Sequence, residues 1–198
     1  MKKIVFIFSL LALCQNAGAD VIWTDGFESG DFSAWTSTSG NWQVKSANSA
    51  YVHSGSCRVQ GFGESGSTGD ILLLACQTVD FDNLSLNYWY KPTSDALESS
   101  DHIFVEWSPD GGTNWRQLAD YTNTSTGIWQ EASFILPFEA NDNALFQLRL
   151  RAVLSNSADA MWFDDFAFAG ELIPEPASSS ILLLMVASAT LYQFRKRS

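Results

Sequence analysis

The chain has 198 residues, with 22 Asp and Glu against 11 Lys and Arg, for a formal net charge of −11. A surface of that sign repels nucleic acid and anionic lipid, which excludes both as partners held by charge. Residues 20–172 make one domain's worth of chain between two apolar ends, and because each end contributes two positive charges this body carries −15.

In chain order, Lys2 and Lys3 precede the apolar run Ile4–Leu13, and Ala17-Gly18-Ala19 follows. This is the three-part pattern of a secretory signal peptide over residues 1–19, with cleavage expected after Ala19. A lipoprotein reading at Cys14 is disfavoured because Leu13 is too bulky for the preceding position. Short alternating segments come next: Val21–Thr24, Asn41–Val44, Cys57–Phe62 and Ile71–Gln77. Leu84, Leu86, Tyr88 and Tyr90 share a face, and so do Ile103, Val105 and Trp107. Trp115–Tyr121 and Trp129–Leu136 follow. Phe146, Leu148, Leu150 and Ala152 then share a face, as do Trp162, Asp164, Phe166 and Phe168. Turn-forming clusters separate the segments, among them Ser37–Gly40, Gly61–Gly69, Pro109–Asn114 and Ser155–Asp159. The period is two throughout and no helical period is sustained, so the chain predicts an all-β, two-sheet antiparallel sandwich. Its length favours a jelly roll over a smaller immunoglobulin-like sandwich.

With Cys14 removed alongside the signal, Cys57 and Cys76 form an even pair in an exported chain. The expectation is a disulfide closing a 20-residue loop, worth about 3 kcal/mol; the alternative is two buried free thiols. Only His53 and His102 are present in the body, and no nucleophile elbow, zinc motif or phosphate loop accompanies them. Glu106, Glu131 and Asp165 could be paired on paper, but no motif supports them, so no enzyme is expected. Sugar rings stack on aromatic faces while polar neighbours take their hydroxyls. The outward positions Trp89, Asn87, Phe104, Arg149 and Arg151, with His102, Glu106 and Gln147 beside them, predict a carbohydrate-binding surface if their strands share a sheet. The plainer reading is that the aromatics pack under a loop and the arginines offset negative charge.

Ser108-Pro-Asp-Gly-Gly-Thr-Asn-Trp115 resembles the Asp-box, a hairpin in which Asp110 accepts turn amides and the glycines take positive φ. "DGFESGDFSAW" near the start and "MWFDDFAF" near the end, with "LSLNYWY" and "LFQLRLR" between, resemble the jelly-roll modules related to MAM domains and carbohydrate-binding modules. That resemblance implies a structural Ca²⁺ held by Glu28 and Asp164, with Asp25 or Asp31 completing the oxygen set. The alternative is that Asp164 accepts backbone amides and Glu28 is merely exposed.

Pro174-Glu175-Pro176, an apolar stretch over 177–194 and Arg195-Lys196-Arg197 resemble the PEP-CTERM sorting signal, placed at residues 173–198. The resemblance implies a single hydrophobic C-terminal helix as a membrane span and an inner-membrane intermediate processed by an exosortase. It further implies delivery to the surface or exopolysaccharide matrix of a Gram-negative cell; a permanent anchor is the rival. The functional expectation is thus a non-catalytic surface or matrix protein associating with exopolysaccharide. A protein-binding adhesive module is the alternative, and a small polysaccharide-active enzyme is less favoured still.

Overall fold

The computed structural model describes residues 18–46, 50–62, 70–93, 97–124, 127–156 and 158–174. Eleven strands are described: β1 (Asp20–Asp25), β2 (Ser37–Thr38), β3 (Trp42–Ser46), β4 (Cys57–Phe62), β5 (Asp70–Ala75), β6 (Phe81–Pro92), β7 (His102–Ser108), β8 (Arg116–Tyr121), β9 (Gln130–Ile135), β10 (Gln147–Val153) and β11 (Ala160–Leu172). They form two antiparallel sheets. The front sheet runs β3-β4-β11-β6-β9, with β1 also paired to β11, and the back sheet runs β2-β5-β10-β7-β8. The expected two-sheet antiparallel sandwich is therefore present. β2 was expected to be a turn; it is two exposed residues long, too short to show a period.

The alternating apolar positions fill the layer between the sheets. Leu84, Leu86 and Tyr88 point in from β6, Ile103, Val105 and Trp107 from β7, and Leu148, Leu150 and Ala152 from β10. Each fully buried side chain of this size contributes about 1.5–3 kcal/mol through removal from water. Tyr88 and Tyr121 bring hydroxyls into this layer and satisfy them against each other at 2.8 Å.

β11 departs from the sequence expectation. Its core positions are Met161 and Phe163, then Phe166 and Phe168. The register with β6 shifts between Asp164 and Ala167, where Asp165 takes φ 49°. One extra residue in a strand swaps its faces. Trp162 and Asp164 therefore lie on the outer side, and Phe166 and Phe168 lie in the core.

Two sequence expectations are corrected here. Cys57 and Cys76 are free thiols, so the disulfide is absent. Cys57 opens β4 in the front sheet with its Sγ 3.5 Å from Ser46 Oγ, and Cys76 follows β5 in the back sheet. The Cys57 thiol faces Ser46 across the β3–β4 pair and not Cys76. Burial pushes the Cys76 thiol up to about 12, which keeps it protonated and unreactive.

The second correction concerns the C-terminal hydrophobic helix. Among the described residues the only helical element is a 3-10 turn at Phe138–Ala140, and no helix is long and apolar enough to cross a membrane. β11 and a hydrogen bond from Ile173 N to Asp80 O (2.8 Å) hold the chain to the front sheet as far as Ile173, and Pro174 is exposed. Glu175, Pro176, Arg195, Lys196 and Arg197 lie outside the described residues, as do residues 1–17 of the expected signal. The membrane contact through that span, the exosortase step and the inner-membrane intermediate all require a membrane-spanning helix, and the described residues contain none.

Candidate functional site

Three places hold the residues singled out from the sequence. The first is a clasp at the start of β4. Glu28 follows the tight turn after β1, where Phe27 takes φ 59°. Its Oε1 accepts hydrogen bonds from the amides of Ser56 (2.9 Å) and Cys57 (2.8 Å), and its Oε2 accepts the Ser56 hydroxyl at 2.8 Å. These bonds hold its carboxyl below the usual range. Asp164, on the β11 bulge, grips the same loop one step earlier. Its Oδ2 accepts the amides of His53 (2.9 Å) and Ser54 (3.3 Å), and its Oδ1 accepts the Asp165 amide at 2.9 Å. Asp164 is fully buried, and burial together with neighbouring Asp165 pushes its carboxyl up to about 6. Gly55 sits between the two grips at φ +58°, and a Cβ there would come within 2.3 Å of Glu28 Oε1. Only glycine suits that position.

Asp25 is buried nearby and spends its oxygens on Phe27 N (2.7 Å) and Trp35 Nε1 (2.8 Å). Asp31 is exposed in its own turn, bonded to Ser29 Oγ and Ser33 N. Among the described residues no three Asp, Glu, His or Cys side chains gather as a metal set. Every Glu28 and Asp164 oxygen accepts at least one protein donor, and these hydrogen bonds hold the 53–57 loop.

The same loop brings a serine, a histidine and an aspartate together without building a nucleophile. His53 Nδ1 meets Asp165 Oδ2 at 2.6 Å, and Ser54 Oγ donates to Asp165 Oδ1 at 2.7 Å. The hydroxyl is bonded to the carboxylate and not to the imidazole, so the serine–histidine pair of a hydrolase triad is not formed.

The second place is the outer face of the back sheet. Register sets Glu106 of β7 opposite Arg149 of β10, and Phe104 opposite Arg151. Glu106 receives Arg149 Nε at 2.7 Å, Arg151 Nε at 3.0 Å and Arg151 Nη2 at 3.1 Å. Burial alone would raise the Glu106 carboxyl, but the hydrogen bonds from Arg151 and Arg149 outweigh it and hold the group below its ordinary value. Each guanidinium also lies on an aromatic ring, Arg149 at 3.8 Å over Trp115 and Arg151 at 4.1 Å over Phe104. His102 stacks on the Phe104 side at 5.2 Å and meets Asp120 at 2.8 Å.

Trp115 escaped the sequence reading. It is delivered to this strip by the Asp-box hairpin, whose Asp110 accepts the Asn114 amide (2.8 Å) and the Ser108 hydroxyl (2.8 Å). Gly111 and Gly112 take φ of 70° and 88° there. The signal was available: the motif ends on that tryptophan.

The third place holds the rest of the expected sugar site. Trp89 and Asn87 lie on β6, in the front sheet, and so are not beside Phe104, Arg149 and Arg151. The ring of His53 stacks on Trp89 at 3.8 Å, so the loop-packing alternative holds for this tryptophan.

No protein-family profile matches the chain, and no curated protein matches it. Solved structures do resemble it. A family 61 carbohydrate-binding module in complex with β-1,4-galactotriose is 21% identical, covering 72% of this chain and 92% of its own, with TM-score 0.52. The K1 cleaved adhesin domain of Lys-gingipain from Porphyromonas gingivalis W83 is 17% identical, with 73% and 95% covered and TM-score 0.56. The CBM22-1 xylan-binding domain of Xyn10C from Paenibacillus barcinonensis is 14% identical, with 82% and 100% covered and TM-score 0.54. The likeness establishes the fold. It is a β-sandwich built like those of carbohydrate-binding modules and adhesin domains, and at these identities it says nothing of ligand.

Proposed function

We propose that this chain is a non-catalytic binding module that engages polysaccharide through the outer face of its back sheet. The observation that carries the reading is the strip of Trp115, Arg149, Glu106, Arg151 and Phe104. Its ends are the Trp115 and Phe104 rings, each with a guanidinium on one face, and between them Glu106 is bonded by both arginines. Such a strip costs little entropy to order, because its side chains are already held. Fold neighbours described as binding galactotriose and xylan support the same reading. The test is affinity electrophoresis of the chain in gels cast with neutral β-glycans, before and after Trp115→Ala. Retardation by at least one glycan, lost in the variant, supports the proposal; an unretarded chain with an intact fold removes it.

A second reading, an adhesive contact with protein, is favoured by one observation. Phe138 is 80% exposed and Ile135 76% exposed, three residues apart at the end of β9, and adhesin domains are among the fold neighbours. Self-association abolished by Phe138→Ser, with no glycan retardation, would favour it.

A further inference from the structure

The front sheet has an outer face that the proposed function does not use. Register builds it in rows. Gln43 of β3 opposes Gln60 of β4, Gln60 opposes Trp162 of β11, and Trp162 opposes Lys91 of β6. Next to that row, Lys45 opposes Arg58. Trp129 completes the platform, with its ring 6.4 Å from that of Trp162; both tryptophans are half-buried, and Tyr51 packs against Trp162 at 5.7 Å. Two cations sit on Trp162: the Arg58 guanidinium at 3.9 Å and the Lys91 ammonium at 5.0 Å.

The cations of this face lack ion pairs among the described residues, although Glu131 of β9 is exposed opposite Trp89 and Asp164 lies near Arg58. The body has six Lys and Arg between residues 20 and 172. Arg116, Arg149 and Arg151 are paired with Glu139 or Glu106. Lys45, Arg58 and Lys91 have no ion pair among the described residues, and all three lie on the front sheet. Arg58 is only 6% exposed, yet its Nε and Nη1 have no acceptor, and Nη2 reaches only Gln60 Oε1 at 3.4 Å. The nearby carboxylates Asp164 and Asp165 are occupied by the loop's amides, the Ser54 hydroxyl and His53. Asp164 attracts the Arg58 guanidinium but takes no hydrogen bond from it; a buried guanidinium with Nε and Nη1 unbonded is costly, and an anion placed over this row lowers that cost. The indole N–H groups of Trp129 and Trp162 also have no protein acceptor.

We propose that this face is a second binding site, for a glycan chain bearing carboxylates, with sugar rings against Trp129 and Trp162 and a uronate carboxylate at Lys91. The reading does not rest on the back-sheet site. Aromatic rings and side-chain amides by themselves would suit a neutral glycan; the three unpaired cations select an acidic one. Over the rest of the body, excess negative charge repels such a chain, so binding is confined to this face and weakens with salt.

The test is affinity electrophoresis of the full chain in gels containing polygalacturonate, with neutral β-1,4-galactan as the parallel arm. Polygalacturonate should retard the chain at low salt and release it as salt rises. Lys91→Glu should weaken the retardation about tenfold or more, equivalent to about 1.4 kcal/mol, and Trp129→Ala should weaken it as well. Trp115→Ala, on the back sheet, should leave it unchanged. Near-ultraviolet circular dichroism checks that each variant is folded, and the charge-preserving Lys91→Arg should restore retardation if Lys91→Glu acts through charge. No retardation by polygalacturonate would overturn the proposal. So would retention of binding in Lys91→Glu, or a galactan retardation lost in Trp129→Ala, which would make the face a neutral-glycan site.

Discussion

The two outer faces are made of the same materials and use them oppositely. Each combines arginine or lysine with tryptophan. On the back sheet Glu106 stands opposite Arg149 and takes Arg151 as well, so the charges close on one another and the rings are capped by the guanidiniums they support. On the front sheet Arg58 and Lys91 converge on Trp162 without an ion pair among the described residues, and Asp164 attracts Arg58 without bonding to it. Cross-strand register, and not composition, decides whether a basic residue is spent inside the fold or left for a partner. The closed Glu106 network should therefore matter to stability, and the unpaired Lys91 should hardly matter at all.

The largest expected effect is at Glu106. Removing it with Glu106→Ala leaves two partly buried guanidiniums facing each other, a loss of about 3 kcal/mol by the usual cost of breaking a buried pair, read from urea melts. Its carboxyl is held low in the fold, so this contribution is present above the ordinary carboxyl pKa. It is lost as the pH falls through the folded-state value. If Glu106→Ala melts like the parent, the closed network on the back face is not a stabilising one.

Asp164 should show the opposite pH dependence. Its carboxyl is raised to about 6, so its contribution is largest below the unfolded value and is lost as pH rises through about 6. Relative to Asp164→Asn, the parent should lose about 2 kcal/mol of stability between pH 4 and 7.5. Calcium, implied by the resemblance to jelly-roll modules, is tested in the same melts. The hydrogen-bonded clasp alone predicts an unchanged melting temperature at pH 7.5. A rise on adding Ca²⁺, reversed by EDTA and missing in Asp164→Ala, would establish an ion at Glu28 and Asp164.

A smaller loss, about 1–2 kcal/mol, is expected for Gly55→Ala, from a left-handed backbone and a clash with Glu28. Because the 53–57 loop carries His53 onto Trp89, tryptophan fluorescence should shift with it. The smallest effect is at Lys91. Lys91→Ala should change stability by less than about 0.5 kcal/mol, as for an unpaired surface cation. A cost there comparable to that at Glu106 would erase the distinction between the faces.

Much of this molecule was decided locally. The alternation at 84–90, 103–107 and 146–152 placed strands and core correctly, because a half-buried strand must repeat every two residues. The Asp-box residues specified their hairpin for the same reason: its hydrogen bonds run between neighbours. Other features depended on residues far apart in sequence. The bulge at Asp164 and Asp165 reversed the faces of β11, and nothing in the local pattern "MWFDDFAF" counts the extra residue. Trp89 and Phe104 belong to different sheets although only 15 positions separate them, since adjacent strands β6 and β7 cross the sandwich instead of pairing. Glu28 and Asp164 do meet one loop, and most of the donors they bond there are backbone amides, which have no letter in a sequence. The cysteines, an even pair by count, were assigned to opposite sheets. Strand pairing and sheet assignment are set by the burial of the whole apolar set at once, so only the tertiary structure could decide which charges find partners and which remain at the surface.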